Sequence, residues 1–466
     1  MMGKPHAVAV PFPGQGHVLP LMELSHRLVD RGFGITMVCS EFDKARILAA
    51  LKKEDDQRCI EGISLVAVSD GMGTDDDRGD VGRLSKFVMG ADFERFLENL
   101  MRQLNEREEE KVSCVIADVC CSAALSVAKK LGIPGFGFCP AAVADLALCL
   151  HIPKLVESGF IADDTGNIVE DQTFRITPTM PEMSTSYFGL NGLSASSKRT
   201  VFLLMDEVCR VPTLTDRILC NSFRGIESPA LDSIPQAVPI GPLLPPKRAV
   251  TKAVPHFWAE DSSCLTWLDQ QQDRSVIYVS FGSFSVLNQA QFEEIAAGLE
   301  QSGRPFLWVV RPNLMTGSAV VYPENFLDRV GERGKIVSWA PQQKVLAHRA
   351  VACFLSHCGW NSTLEGLSNG VPFLCWPFMG DQFLNKNYIC EVWKIGLELK
   401  AEEKGIITRE EIQRKIEELL CDDRQGIRTR ALKMKETAEE AVGGGGTSRK
   451  NFDDFVEEIK RENLPQ

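Results

Sequence analysis

Short apolar runs of strand length alternate with longer helical patterns along this chain, and the alternation stops once and then restarts. The first array has strand-like runs at Ala7–Pro11, Gly34–Cys39, Ile63–Val68, Ser113–Ala117 and Pro134–Phe138. Helical patterns at Val18–Arg31, Arg83–Asn105 and Ser122–Leu131 fall between them. The second array has Ser275–Phe281, Pro305–Val310, Lys335–Ser338, Ala352–Ser356 and Pro372–Cys375, with helical patterns at Gln289–Gln301 and Gln382–Trp393. Strands that take turns with helices form parallel sheets, because each helical crossover returns the chain to the same sheet edge. The pattern therefore predicts an α/β protein with two parallel sheets.

Where the alternation stops, Leu231–Pro246 ends in PIGPLLPP, whose prolines disfavour both helix and central strand. A chain of 466 residues is too long for one core. The expected division is residues 1–240, a linker at 241–255, a second domain at 256–448 and a terminal segment at 449–466. The helical tail Arg409–Lys460 is broken by Gly443–Gly446 before a last amphipathic helix, Arg449–Lys460. Two stretches escape the periodic pattern: the acidic, glycine-rich loop Ser69–Asp80, and Gly159–Ser197, which carries Pro178, Met180, Pro181 and Met183. Long irregular segments inside compact domains are often binding loops, which makes the second stretch the candidate rim of a pocket.

Charge and cysteine usage narrow the partners. With 51 basic and 63 acidic residues, the net charge of −12 disfavours nucleic acid and anionic membranes. No run of 18 apolar residues occurs, so no membrane insertion is expected. The opening MMGKPHAVAVPF reads as a first strand rather than a leader. Fifteen cysteines without a CxxC pair fit a reduced, cytoplasmic protein. The adjacent Cys120 and Cys121 raise the alternative of a redox or metal site, but with no His or Cys ligand near them in sequence they read as helix packing. Nothing suggests a coiled coil or an apolar stripe, so a monomer is expected.

The chemistry concentrates in the 44 residues from Trp339 to Gln382, WAPQQKVLAHRAVACFLSHCGWNSTLEGLSNGVPFLCWPFMGDQ. A buried-strand run at Ala352–Ser356 meets His357-Cys358-Gly359, and Asn361-Ser362 opens a helix ended by Gly370. A helix N-terminus after glycine offers unpaired N–H groups and a positive dipole end, which suits a phosphate. His357, Asn361 and Ser362 add donors there. Glu365, one turn on, can accept from ribose hydroxyls. Trp339 can stack on a flat base, and Asp381 with Gln382 can bond a sugar. Together they cover each part of a nucleotide sugar.

This stretch resembles, without a gap, the signature box of plant family 1 UDP-glycosyltransferases: W-A-P-Q, H-C-G-W-N-S, E-G and D-Q all stand in register. The resemblance implies the GT-B fold, two Rossmann-like, doubly wound parallel-sheet domains facing across a cleft, with the terminal helix crossing back onto the N-terminal domain. It also implies that Trp339, with Ala340 beside it, stacks on uracil, that Gln342 bonds the base and that Glu365 holds the ribose. His357, Asn361 and Ser362 would hold the diphosphate, with Ser283 of SFGS, and Trp360, Asp381 and Gln382 the sugar. Gln382, where galactose users carry His, points to UDP-glucose.

The first strand–turn–helix reads VAVPFPGQGHVLPLMELSHRL. Its Gly14-Gln15-Gly16 lacks the third small residue of a dinucleotide fingerprint, because Leu19 stands there. His17 follows the turn and suits general-base work, its ordinary pKa being near neutrality. Asp118 ends the strand CVIAD and would orient and stabilise the imidazolium if the two strands are neighbours; capping the next helix is compatible with that. The family places its catalytic acid there. These residues predict inverting transfer of glucose to a hydroxyl in one displacement, without the paired carboxylates of a glycosidase. Fixed donors replace a metal, and no metal or other cofactor is expected; Asp75–Asp77 lies in the acidic loop.

The family pattern is broken at Pro140 in FCPAA, where a hydroxyl residue is common, and at Phe378-Met379-Gly380. Phe12, Phe138, Met180, Met183, Phe188 and Met379 are the expected acceptor-pocket lining, which suits a small hydrophobic aglycone. A phenolic or flavonoid hydroxyl is the leading acceptor. C-glucosylation of a polyphenol, a terpenoid or steroid acceptor, and a non-catalytic UDP-sugar binder are the alternatives.

Overall fold

The computed structural model describes residues 4–50, 60–73, 76, 79–162, 165–188, 190, 193–244, 258–315, 320–403, 405–421 and 426–462. The chain forms two compact units, Met1–Phe257 with Glu440–Gln466, and Trp258–Glu439. Residues 245–255 of the expected linker, and Asp75 and Asp77 of the acidic loop, lie outside the described residues.

In the first unit the strands are β1 (His6–Val10), β2 (Gly34–Ser40), β3 (Ile63–Val68), β4 (Val112–Asp118), β5 (Gly135–Cys139), a two-residue hairpin pair β6 (Thr173–Phe174) and β7 (Met183–Ser184), β8 (Ile218–Cys220) and β9 (Ala237–Pro239). Seven of them make a parallel sheet in the order β3-β2-β1-β4-β5-β8-β9. Every residue of β1 and β4 is buried, as expected of central parallel strands covered on both faces. The strand order reverses between β1 and β4, the point at which open α/β sheets place ligands at the carboxyl edge. On the helix Gln15–Val29, Val18, Leu21, Leu24 and Leu28 recur at helical spacing and enter one core with Ala7, Ala9, Met37 and Ile116.

The terminal helix Thr447–Glu462 belongs to this first unit. Its Phe452, Phe455, Val456 and Ile459 are buried in the same core. Phe455 meets Phe136 of β5 edge-on, with ring centroids 4.9 Å apart. Asn451 donates to the Pro239 carbonyl at 2.9 Å, and Glu458 pairs with Arg217. Phe455→Ala is expected to destabilise the first unit by ~3–5 kcal/mol, the usual cost of emptying a buried aromatic site. Denaturant unfolding of the purified protein checks this, and a loss below ~1 kcal/mol would mean that the helix is not part of the core.

In the second unit β10 (Val276–Ser280), β11 (Phe306–Val309), β12 (Gly334–Val337), β13 (Val351–Ser356), β14 (Phe373–Cys375) and β15 (Gly396–Glu398) form a parallel sheet ordered β12-β11-β10-β13-β14-β15. Its core joins Ile277, Val279, Phe292, Trp308 and Leu355. No helix among the described residues is long and apolar enough to cross a membrane.

Several expected elements differ in extent. The pattern Arg83–Asn105 is two helices, Val81–Val88 and Ala91–Asn105, because Gly90 is extended at the start of the second. The helix expected over Gln382–Trp393 is α-helical only to Asn387 and continues as a π-turn, Tyr388–Val392. The tail is three helices, Arg409–Cys421, Ile427–Val442 and Thr447–Glu462. The stretch Gly159–Ser197 contains the β6–β7 hairpin and the start of a helix, Ala195–Leu214, capped by Ser194. The strand β9 ends in Pro239 and lies at the sheet edge, where a missing N–H is tolerated.

Candidate active site

Each unit presents one cluster of the expected residues. In the first unit, neighbouring β1 and β4 pair in register from Ala7↔Cys114 to Val10↔Ala117, so the segments beyond their ends share one edge. His17 is the third residue of the helix that follows β1, with Gly14 as the extended N-cap. Asp118 is the last residue of β4 and is completely buried. His17 Nδ1 lies 2.8 Å from Asp118 Oδ2. A neutral imidazole that donates from Nδ1 carries its lone pair on Nε2, the arrangement of an oriented base. The other oxygen, Oδ1, accepts the Cys120 backbone N–H at 2.9 Å. Phe12 flanks the imidazole, with ring centroids 5.1 Å apart.

Sequence spacing gave no sign that Cys120 would join this pair. Cys121 is fully buried, as the packing reading expects, but Cys120 is only partly buried. The Cys120 thiol also reaches the Asp118 carboxylate, and burial followed by that negative charge holds it well above the ordinary thiol range. Of the expected acceptor residues in this unit, Phe138 pairs in register with Asp118 and lies in the apolar core with Ile116 and Leu219. Met180, Met183 and Phe188 are buried in and around the β6–β7 hairpin.

In the second unit the segments after β10, β13 and β14 supply the site. Gly282, at φ +66°, turns the segment after β10 beside His357, where an added Cβ would stand 2.5 Å from the ring Nε2. Gly359 on the other side leaves the same 2.5 Å margin, so both positions need glycine for the imidazole to fit. Cys358 between them takes φ +66°, a conformation that a non-glycine residue rarely adopts. The helix Trp360–Ser368 then begins with Gly359 as an extended cap that makes no side-chain hydrogen bond, and its N-terminus carries the positive end of the helix dipole.

Burial, and then the positive charge of Arg311, push His357 down to about 4. Its Nδ1 is buried without a hydrogen-bond partner among the described residues. Unfolded His357 therefore binds a proton near its ordinary 6.5 while folded His357 stays neutral. Stability is expected to be complete above pH 6.5 and to fall by ~1.4 kcal/mol for each unit the pH drops between those two values. His357→Asn should flatten that part of the pH–stability curve. An unchanged slope would place the linkage elsewhere.

Arg311 was missed in the sequence. It follows β11 and is 2% exposed. Its Nε donates to the Gly282 carbonyl at 3.0 Å, Nη1 to the Asn313 carbonyl at 2.8 Å and Nη2 to the Ser285 carbonyl. The guanidinium thus holds the segment that contains Ser283.

A further network surrounds Glu365, which is 8% exposed. Gln342 Nε2 donates to Glu365 Oε2 at 2.6 Å and to Ser362 Oγ at 2.8 Å, while Tyr278 donates to Gln342 Oε1 at 3.0 Å. Gln343 donates to Glu365 Oε1 at 3.1 Å. The carboxylate is thus fixed by neutral donors, and Gln342 is tied to it here. Tyr278 and Gln343 carried no sequence signal. Trp339 is largely buried and stacks on Trp258 at 6.1 Å, while Ala340 is buried next to it. Trp360 packs near Trp393 at 6.4 Å. Asp381 Oδ2 accepts from Asn385 at 2.8 Å, and Gln382 Oε1 accepts the Phe378 and Met379 backbone N–H groups at 2.8 and 3.1 Å. Gln382 therefore shapes the turn that carries Met379.

Comparison with known proteins identifies the family and the fold. The family description "UDP-glucoronosyl and UDP-glucosyl transferase" matches residues 245–427. The chain is 40% identical to UDP-glycosyltransferase 83A1 of Arabidopsis thaliana, over 98% of this chain and 97% of that one. It is 34% identical to linamarin synthase 1 of Manihot esculenta, over 98% and 97%. Its fold is similar, with a TM-score of 0.78 and 28% identity over 98% of this chain and 100% of the other, to Phytolacca americana UGT2 complexed with UDP-2-fluoro-glucose and pterostilbene.

Proposed function

Since this chain belongs to the plant UDP-glycosyltransferases of the GT-B fold and is an enzyme of that class, we propose that it transfers glucose from UDP-glucose to a hydroxyl of a small hydrophobic acceptor, with a phenolic or flavonoid as the favoured class and the configuration inverted. The observation that carries this reading is the 2.8 Å bond between partly exposed His17 and fully buried Asp118 at the carboxyl edge of the first sheet. His17 Nε2 takes the acceptor proton, and Asp118 stabilises the imidazolium. The acceptor oxygen attacks the anomeric carbon as the UDP oxygen leaves. Negative charge then grows on the diphosphate, which His357, Ser283, Asn361, Ser362 and the dipole of the helix Trp360–Ser368 stabilise. Glu365 accepts from the ribose, Trp339 and Ala340 line the base with Gln342, and Trp360, Asp381 and Gln382 hold the sugar. Because fixed donors meet the leaving group, the reaction proceeds without a metal. Phe12, beside His17, supports an apolar acceptor, as does pterostilbene in the Phytolacca americana complex. The protein acts as a monomer in the cytoplasm, a compartment that keeps thiols reduced, as the thirteen cysteines with described side chains are.

The test is UDP release from UDP-glucose against flavonols, simple phenols, triterpenols and aromatic acids, with EDTA present. Turnover of a phenolic that survives EDTA and gives an acid-labile product supports the reading. An acid-stable product would replace it with C-glucosylation, and turnover confined to triterpenols would replace the acceptor class.

A further inference from the structure

The His17–Asp118 pair has a third member. A ring nitrogen of His17, a carboxylate oxygen of Asp118 and Sγ of Cys120 all lie within 4.8 Å of one another. The turn after β4 builds this cluster. Cys120 N–H donates to Asp118 Oδ1 at 2.9 Å, and Cys121 N–H donates to the Asp118 carbonyl at 2.7 Å. These two bonds fold the chain back, so that the Cys120 thiol faces the carboxylate that already holds the imidazole. Asp118 has no exposed surface, while His17 and Cys120 are partly exposed.

We propose that His17, Asp118 and Cys120 form an inhibitory site for a soft divalent cation such as Zn²⁺ or Cd²⁺. Imidazole nitrogen, carboxylate oxygen and thiolate sulfur are the ligands that zinc selects, at ~2.0–2.3 Å, and on a tetrahedron of that size they stand ~3.3–3.8 Å apart. The cluster reaches that spacing by shifts of about an ångström, leaving the fourth position to water. Mg²⁺, which demands oxygen ligands in octahedral geometry, is a poor fit.

Binding releases the Cys120 thiol proton to solvent. His17 stays neutral and coordinates through Nδ1, so its single ring proton moves to Nε2. One thiolate and one carboxylate then balance the charge of the cation. In that state Nε2 carries a hydrogen and cannot accept one from an incoming hydroxyl, and the bond that aligned the ring on Asp118 is lost. Inhibition rests on the proposed role of His17 as base; metal binding itself does not.

The test uses the full chain as wild type, Cys120→Ser and Cys120→Ala, the serine variant keeping the shape of the side chain. Cd²⁺ is titrated while the ultraviolet thiolate-to-cadmium absorption is followed, and glucose transfer is measured in parallel against Zn²⁺, with and without EDTA, and against Mg²⁺. The expected result is loss of one equivalent of cadmium absorption in both variants. The Zn²⁺ concentration that halves the rate should rise at least tenfold in them, EDTA should restore the wild type, and Mg²⁺ should not inhibit. Equal cadmium absorption in all three proteins, or equal zinc sensitivity, overturns the site. Cadmium absorption that depends on Cys120 while transfer ignores zinc keeps the site but overturns its inhibitory role, and with it the role of His17.

Discussion

His17→Ala is expected to lower glucose transfer by ~10²–10⁴-fold, the range that a positioned general base contributes, while UDP-glucose binds as before. The two effects separate because His17 and the expected donor residues belong to different units. The reason for so large a loss is geometric. The ring is held by Asp118, which is itself fixed by the Cys120 backbone N–H. Asp118→Asn should cost a similar ~10²–10⁴-fold, because an amide facing Nδ1 as a donor turns the proton to Nε2. Initial rates of UDP release, set beside calorimetric binding of UDP-glucose, check both variants. A loss under tenfold in His17→Ala would sink the assignment.

The second large effect lies in the other unit. Arg311→Met removes the donors that the guanidinium gives to the Gly282, Ser285 and Asn313 carbonyls, of which Ser285 is buried, Gly282 partly buried and Asn313 exposed. A buried acceptor left without its donor costs ~1–3 kcal/mol, and the unit should lose about that much in denaturant unfolding. Affinity for UDP-glucose should fall by about tenfold or more, because a loosened turn has to be ordered on binding. Arg311→Lys should rescue little, since one ammonium cannot span three carbonyls as a planar fork does. Full rescue by lysine would show that charge alone matters at this position.

What the sequence made legible follows from how far each signal reaches along the chain. The central strands β1, β4, β10 and β13 are five to seven residues of nearly unbroken apolar character, so they stand out. The three-residue strands β8, β9 and β15 carried no run distinct enough to mark them, unlike β14 of the same length, and pairing with a neighbour defines them. Asp118 could be matched to His17 because Asp118 ends its strand and His17 opens the helix that follows the neighbouring strand, on the same sheet edge. Cys120 could not, since its side chain is turned toward Asp118 by two backbone bonds that no spacing rule encodes. Arg311 was hidden for a similar reason: an arginine after a strand reads as a surface residue until its carbonyl partners, 26 and 29 positions away, are known. Gln342 was legible as part of the box, but its bonds to Glu365 and Ser362 come from folding a 20-residue separation back on itself.

The terminal helix also sets a timetable for synthesis. The first sheet is finished once β9 has emerged, yet the phenylalanines and aliphatic residues that cover one face of it come from Thr447–Glu462. At ~5–20 residues per second, the ribosome needs on the order of 10–40 s to travel from one to the other. During that interval Phe136 and its neighbours wait without their cover, while the whole of the second unit is made and released. A nascent chain of this protein is therefore most exposed to chaperones and to misassembly late in translation, and a stop codon only a few dozen residues early would strike the unit that was made first.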